Sequence, residues 1–290
     1  MPSFPVVSVD KTTFDRDYWD KLNDFRWVFL AEGDSWFSFG SLKFRSVLRD
    51  MQLPERALIL NIAEPGDTLR RMHETCGNAE LYFQLKNKSG RRWDAIFLSG
   101  GGNDIIDAVW NADVRAPEVF VRPVNPGSMT AANLRDIIKQ PQYDALFSYI
   151  VANVRQIVLE GRDEAGGNSN GVPLFMHTYA LMQPRNAPVQ DLGLGPWLYA
   201  TCNWLGIDRA LWIEVARMVL TDLAATLKRL DLPNFHVIDT LALTTAMVPS
   251  TPGSTGDSND WENEIHPNQG GYGKLVATWS AQIVKTLDRS

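Results

Sequence analysis

The sequence predicts an α/β fold: a three-layer α/β/α sandwich around a mainly parallel five-stranded sheet. Three observations predict it. Apolar runs of strand length at residues 27–30, 57–63 and 93–99 each stop abruptly at small or polar residues: Gly33-Asp34-Ser35, Glu64-Pro65-Gly66-Asp67 and Gly100-Gly101-Gly102. Helical spacing of apolar residues follows the first two turns, at 41–51 and 69–72. Further strand-like runs at 172–179 and 235–239 are each followed later by an amphipathic pattern, at 209–230 and 271–287. Repeated strand, turn and helix is the pattern of parallel strands that need helices to cover both faces.

The elements follow in order. Residues 1–25 are polar, rich in Asp and Lys, and carry Tyr18 and Trp19, which predicts a surface arm held down by its aromatics. The first strand, from Trp27, ends at Ser35 and feeds a helix over 41–51. The second run ends at Gly66. The third ends in three glycines, where the backbone can bend tightly and admit a ligand closely. Residues 130–160 read as helix, with Pro141 breaking it in two. Residues 164–171 are a loop, 172–179 a fourth strand and 235–239 a fifth. Between those strands, residues 181–206 combine Pro184, Pro188, Gly193, Gly195 and Pro196 with Trp197, Tyr199 and Trp204. This is long for a connector and reads equally as a lid-like insertion or as an apolar cover for the core. Residues 250–260 are a Gly/Ser/Thr/Pro-rich loop before the closing helix. The expected organisation is a single domain over 26–290.

Composition narrows the function classes. A length of 290 residues with 44% hydrophobic and 21% charged residues suits one enlarged globular domain that needs no staples. The formal net charge is −6 and no long basic run occurs, so no nucleic-acid partner is expected. Cys76 and Cys202 are too few for a disulfide framework and read as free thiols. The first residues lack a basic start and a continuous apolar core, so no secretory signal is expected and a cytoplasmic protein is the default. No window reaches the roughly 20 apolar residues of a membrane-spanning helix. His-x₃-His and Cys-x₂-Cys patterns are missing, and no Gly-Lys-Ser/Thr accompanies the triple glycine, so neither a metal nor a cofactor is expected.

Ser35 stands at a strand's carboxyl end, where open α/β sheets hold their ligands, and is a candidate nucleophile. Gly-Asp-Ser alone is also ordinary turn chemistry, with Asp34 or Ser35 capping the next helix. Among four histidines, His236 lies within an apolar run and His73 on a helix, both structural positions; His177 follows a strand and could line a pocket. His266 alone precedes a proline, in a polar loop that opens the last helix.

The ordered set Gly33-Asp34-Ser35, Gly66, Gly101-Gly102-Asn103-Asp104 and His266-Pro267 resembles the SGNH (GDSL-type) hydrolase family from about Trp27 to the end. The resemblance implies flavodoxin-like strand order and ester hydrolysis through an acyl-enzyme. It implies Ser35 as nucleophile and His266 as base. The oxyanion hole would be the N–H groups of Ser35 and Gly66 with the side-chain amide of Asn103, while Asp34 and Asp104 hold the two motif loops in shape. One position departs: where the family carries an Asp three residues before the His, this chain has Asn263. Asn263 could orient His266 as a neutral partner, Asp260, Glu262 or Glu264 could substitute, or a Ser-His dyad supported by a backbone carbonyl could act. Expected substrates are small carboxylic esters: lipid, short acyl or acetylated sugar. The rivals are acyl transfer at the same site and a non-catalytic binding protein.

Overall fold

The computed structural model describes residues 3–38, 46–74, 79–86, 93–160, 169–189 and 193–288. Its centre is a sheet of six parallel strands: β1 Val7–Val9, β2 Trp27–Gly33, β3 Ala57–Asn61, β4 Ala95–Ser99, β5 Leu174–His177 and β6 Phe235–Ile238. They lie in the order β1-β3-β2-β4-β5-β6. The five strands expected from the sequence are β2 to β6, and among themselves they follow the flavodoxin-like order 2-1-3-4-5.

The sixth strand is a correction. Val7-Ser8-Val9 pairs in parallel with Leu58, Ile59 and Leu60 at the sheet edge. Three alternating residues are too few to register as a strand in sequence, so the segment read as part of a polar arm. Phe14, in the same stretch, is fully buried and packs against Trp93 at 6.3 Å between ring centroids. Residues 4–5 and 52–53 form a separate two-stranded antiparallel ribbon.

Helices flank the sheet: α1 Leu69–His73, α2 Ala79–Leu85, α3 Gly102–Val109, α4 Gln140–Arg155, α5 Leu198–Leu205, α6 Trp212–Lys228 and α7 Gln269–Leu287. α4 packs against α1, α3 and α6. Trp279 of α7 reaches Phe37 and His177, at 6.2 and 5.0 Å between ring centroids. Both faces of the middle strands are thereby covered, which is why Phe29, Leu30 and Ala31 in β2 and Leu58, Ile59 and Leu60 in β3 read as continuous apolar runs rather than alternations.

Pro141 does not divide a helix. It sits in the first turn of α4, where a missing N–H costs nothing, and Leu134–Ile137 before it forms a 3₁₀ turn. Of the helix expected over 41–51, residues 41–45 lie outside the described residues and 47–50 form a turn. Residues 164–168 of the expected loop and Cys76 also lie outside. Cys202 is a free, buried thiol. Among the described residues no helix is long and apolar enough to cross a membrane.

Candidate active site

The carboxyl ends of β2, β3 and β4 are brought level by the ladder itself. Past the paired residues, Ile62 N–H donates to Ala31 C=O at 2.9 Å and Glu64 N–H to Gly33 C=O at 2.9 Å, carrying the Glu64–Asp67 turn alongside Ser35. On the other side Asp34 N–H donates to Ser99 C=O at 3.1 Å. Gly33 is required here, because a Cβ would stand 2.6 Å from Cβ of Ser99.

Ser35 is half-buried at this edge, and its Oγ lies 2.7 Å from Nε2 of His266, 231 positions away in sequence. His266 is supplied by a tight loop: Glu262 N–H donates to His266 C=O at 3.0 Å, and Asn268 then caps α7 by accepting Gly271 N–H at 3.1 Å. The helix lies so close to this loop that a Cβ on Gly271 would fall 2.3 Å from the Asp260 carbonyl oxygen.

The imidazole tautomer follows from its neighbours. Oδ1 of Asn263 accepts the backbone N–H of Ile265 at 3.0 Å and of His266 at 2.9 Å, so these two obligate donors fix the amide's orientation. The same oxygen lies 3.1 Å from Nδ1 of His266. An accepting oxygen requires Nδ1 to carry the proton, which leaves the lone pair of Nε2 facing the Ser35 hydroxyl. Of the three carboxylates that could substitute, Asp260 and Glu264 are engaged elsewhere. Asp260 pairs with Lys274 at 2.6 Å. Glu264 accepts the N–H groups of Trp197, Leu198 and Tyr199 at the start of α5, and burial raises its pKa to about 7. Asn263 is therefore the side chain that meets His266, while its own Nδ2 is buried without a hydrogen-bond partner. Burial depresses the His266 pKa to about 3, so the ring is neutral across the ordinary pH range.

Asn103 opens α3. Its Nδ2 donates one hydrogen to Asp67 C=O at 2.9 Å, which ties it to the turn carrying Gly66 and leaves the second hydrogen free. Gly66 has φ +83°, a left-handed conformation that glycine adopts without strain. Among the described residues, neither the Ser35 nor the Gly66 N–H has an intramolecular acceptor. Asp104 Oδ2 accepts Leu69 N–H at 3.1 Å and so links α3 to α1.

Beneath the nucleophile loop lies a buried network that sequence reasoning did not assemble. Asp34 accepts Trp36 N–H at 3.0 Å and the Ser99 hydroxyl at 2.7 Å through Oδ1, and the Tyr179 hydroxyl at 2.5 Å through Oδ2. Tyr179 in turn accepts Gly102 N–H at 3.1 Å, so one hydroxyl joins the residue before Ser35 to the residue before Asn103. Ser99 is also 2.7 Å from Nε2 of His177, whose Nδ1 accepts Tyr179 N–H at 3.2 Å. His177 is thus a neutral Nε2–H donor, with its pKa lowered to about 3 by burial. Burial raises the Asp34 pKa to about 6, against the three donors that favour its charge. His177, placed by the sequence at a possible pocket wall, is wholly buried instead. His236 packs on Phe175, and His73 bonds Asn153. The one available signal for Tyr179 was its position at the end of the run read as a strand over 172–179, of which the structure keeps Leu174–His177.

The segment read as lid-like or core-covering is bound to the His266 loop. Gln183 N–H donates to Glu264 C=O at 2.7 Å, Glu264 N–H to Ala187 C=O at 3.2 Å, and the Glu264 carboxylate caps α5. Residues 190–192 of the segment lie outside the described residues. Among the described residues no group of three or more His, Cys, Asp or Glu is arranged to hold a metal ion.

No family model matches the chain, and no curated protein matches its sequence. Solved structures similar to it include the lipase Lip_vut3 from a goat rumen metagenome, with 14% identity and TM-score 0.44 over 88% of this chain and 96% of that one. A lipase/acylhydrolase from Enterococcus faecalis has 16% identity and TM-score 0.41 over 89% and 96%. Axe2, an acetylxylan esterase from Geobacillus stearothermophilus, has 12% identity and TM-score 0.40 over 89% and 94%. At such identities and scores none of these proteins bears on the chemistry of this chain.

Proposed function

We propose that the chain is a serine hydrolase that cleaves small carboxylic esters through an acyl-enzyme. The observation that carries this reading is the relay Ser35 Oγ to His266 Nε2 at 2.7 Å and His266 Nδ1 to Asn263 Oδ1 at 3.1 Å, in the tautomer that leaves Nε2 free to accept. A nucleophile, a base within reach and a group that orients the base are the arrangement nucleophilic acyl transfer needs.

In the first step Ser35 Oγ bonds to the ester carbonyl carbon while its proton passes to Nε2 of His266. The carbonyl oxygen becomes an oxyanion, for which the Ser35 and Gly66 N–H groups and the free hydrogen of the Asn103 amide are donors. Collapse breaks the bond to the alcohol oxygen, and His266 returns the proton to that oxygen. Water then repeats the sequence on the acyl-enzyme, yielding the carboxylic acid and restoring Ser35. Asn263 holds the ring in register but brings no negative charge to the imidazolium formed in both steps. Its neutrality and the burial of His266 together make proton transfer to the ring costly, and a modest turnover is expected.

The test is hydrolysis of p-nitrophenyl esters from acetate to longer chains by the wild type and Ser35→Ala. Turnover that vanishes in a folded Ser35→Ala supports the reading, and the chain-length profile assigns the acyl group. Turnover that survives the substitution overturns it.

A further inference from the structure

A groove of about 390 Å³ lies apart from Ser35, between residues 183–185, the approach to α6 and residues 249–253. Its volume is in the range of small-molecule sites. Its wall carries two guanidinium groups, Arg185 and Arg209, and no Asp or Glu, although the chain as a whole is acidic.

Among the described residues neither cation forms a direct ion pair. Arg185 is 2% exposed, and the hydrogen bonds of its side chain all go to neutral oxygens: the carbonyls of Ser254, Gly256 and Trp261 and the Ser254 hydroxyl. Its Nε is buried with no hydrogen-bond partner at all. Burial opposes the charge of Arg185, and the Glu264 and Asp257 carboxylates favour it. Arg209 lies over the Trp212 ring at 5.3 Å and forms no ion pair among the described residues. Stacking holds its planar fork in place, which is the form that recognises a carboxylate or phosphate in two-pronged fashion. Trp212, Ile213 and Pro249 give the groove an apolar wall beside these cations.

We propose that this groove binds a small organic anion, a single oxyanion group carried on an apolar body. The oxyanion meets the Arg209 guanidinium and the body lies along Trp212. Carboxylate and phosphate share this chemistry, and the choice of probes separates them.

The experiment is calorimetric titration of the full chain with benzoate, phenyl phosphate, inorganic phosphate and benzyl alcohol. Indole N–H spectra report on Trp212, whose resonance is assigned with Trp212→Phe. Saturable binding of benzoate or phenyl phosphate is expected, with a shift of the Trp212 indole, weaker binding of inorganic phosphate and none of benzyl alcohol. The tighter of the two aromatic anions identifies the oxyanion. Arg209→Ala should weaken binding by about tenfold, the worth of one charge-assisted hydrogen bond, and Arg209→Glu should abolish it. Arg209 is exposed, so both variants should fold; Arg185 is left alone because it also holds residues 254–261. The proposal is overturned if neither aromatic anion binds, if both Arg209 variants bind like the wild type, or if benzyl alcohol binds as tightly as benzoate. None of these readouts uses ester turnover, so the outcome is independent of the hydrolase reading.

Discussion

Asn263→Asp is the substitution for which the site makes the sharpest demand. The present side chain gives Oδ1 to three N–H donors and leaves Nδ2 buried with no partner. The change replaces that unpartnered amide group with an oxygen and adds a negative charge beside the His266 ring. An opposite charge at such range raises the pKa of a histidine by roughly 1–3 pH units. Each unit is about 1.4 kcal/mol of preference for the imidazolium, the species formed as Ser35 attacks. Fully expressed, this would lower the barrier by about 1.4–4 kcal/mol; the new oxygen inherits no donor, so its desolvation offsets part of the gain. The expectation is a kcat for p-nitrophenyl acetate at least about tenfold above wild type, with KM little changed. The pH profile adds a second readout. His266 is held near pKa 3, so its protonation imposes no acid limb in the wild type above about pH 4. In Asn263→Asp the limb should move upward. An unchanged or lower kcat together with an unmoved acid limb, in a variant as stable as wild type, would refute the orienting role of Asn263.

Other sites give further expectations. Asn103→Ala should lower kcat by about 10²–10³ with a smaller effect on KM, the worth of one oxyanion donor, read from steady-state kinetics. Tyr179→Phe removes the hydroxyl shared by Asp34 and Gly102, leaving a buried N–H unpaired; a loss of about 1–3 kcal/mol in denaturant unfolding is expected, with kcat reduced more than KM is raised. Glu264→Ala strips the cap from Trp197, Leu198 and Tyr199 and should cost about 0.5–2 kcal/mol, with faster proteolysis within residues 186–206. His177 has its pKa lowered from 6.5 to about 3, so between those values the unfolded chain binds the extra proton. Its contribution to stability is therefore complete above pH 6.5 and falls as the pH drops toward 3. His177→Gln should flatten the thermal unfolding midpoint over that window relative to wild type.

Strands β2 to β5 were legible because burial on both faces demands runs such as Ala57-Leu58-Ile59-Leu60, and β6, a partly buried edge strand, from the short apolar run at 235–239. Val7–Val9 was not, since an edge strand of three residues carries too little pattern. α3 was hidden by its own motif: Gly100 to Gly102 read as a turn, yet Gly102-Asn103-Asp104 is already the first turn of a helix. α5 was hidden among prolines and glycines, and its start depends on a carboxylate, Glu264, that comes some 60 residues later. The residues of the candidate site were visible as motif blocks at strand ends, and parallel pairing of β2 with β3 and β4 explains why those blocks converge. That His266 meets Asn263 rather than Asp260 or Glu264 depends on the local turn and on where those carboxylates find other donors. The Asp34, Ser99, Tyr179 and His177 network was out of reach, because a serine ending a strand and a tyrosine just past another are commonplace until the sheet sets them side by side.

The most direct measurement is mass spectrometry of the wild type after exposure to a fluorophosphonate, with peptide mapping, beside Ser35→Ala and His266→Ala. One phosphonyl adduct is expected, on the peptide carrying Ser35, absent from Ser35→Ala and formed far more slowly in His266→Ala. An unlabelled wild type, or an adduct on any other serine, would contradict it.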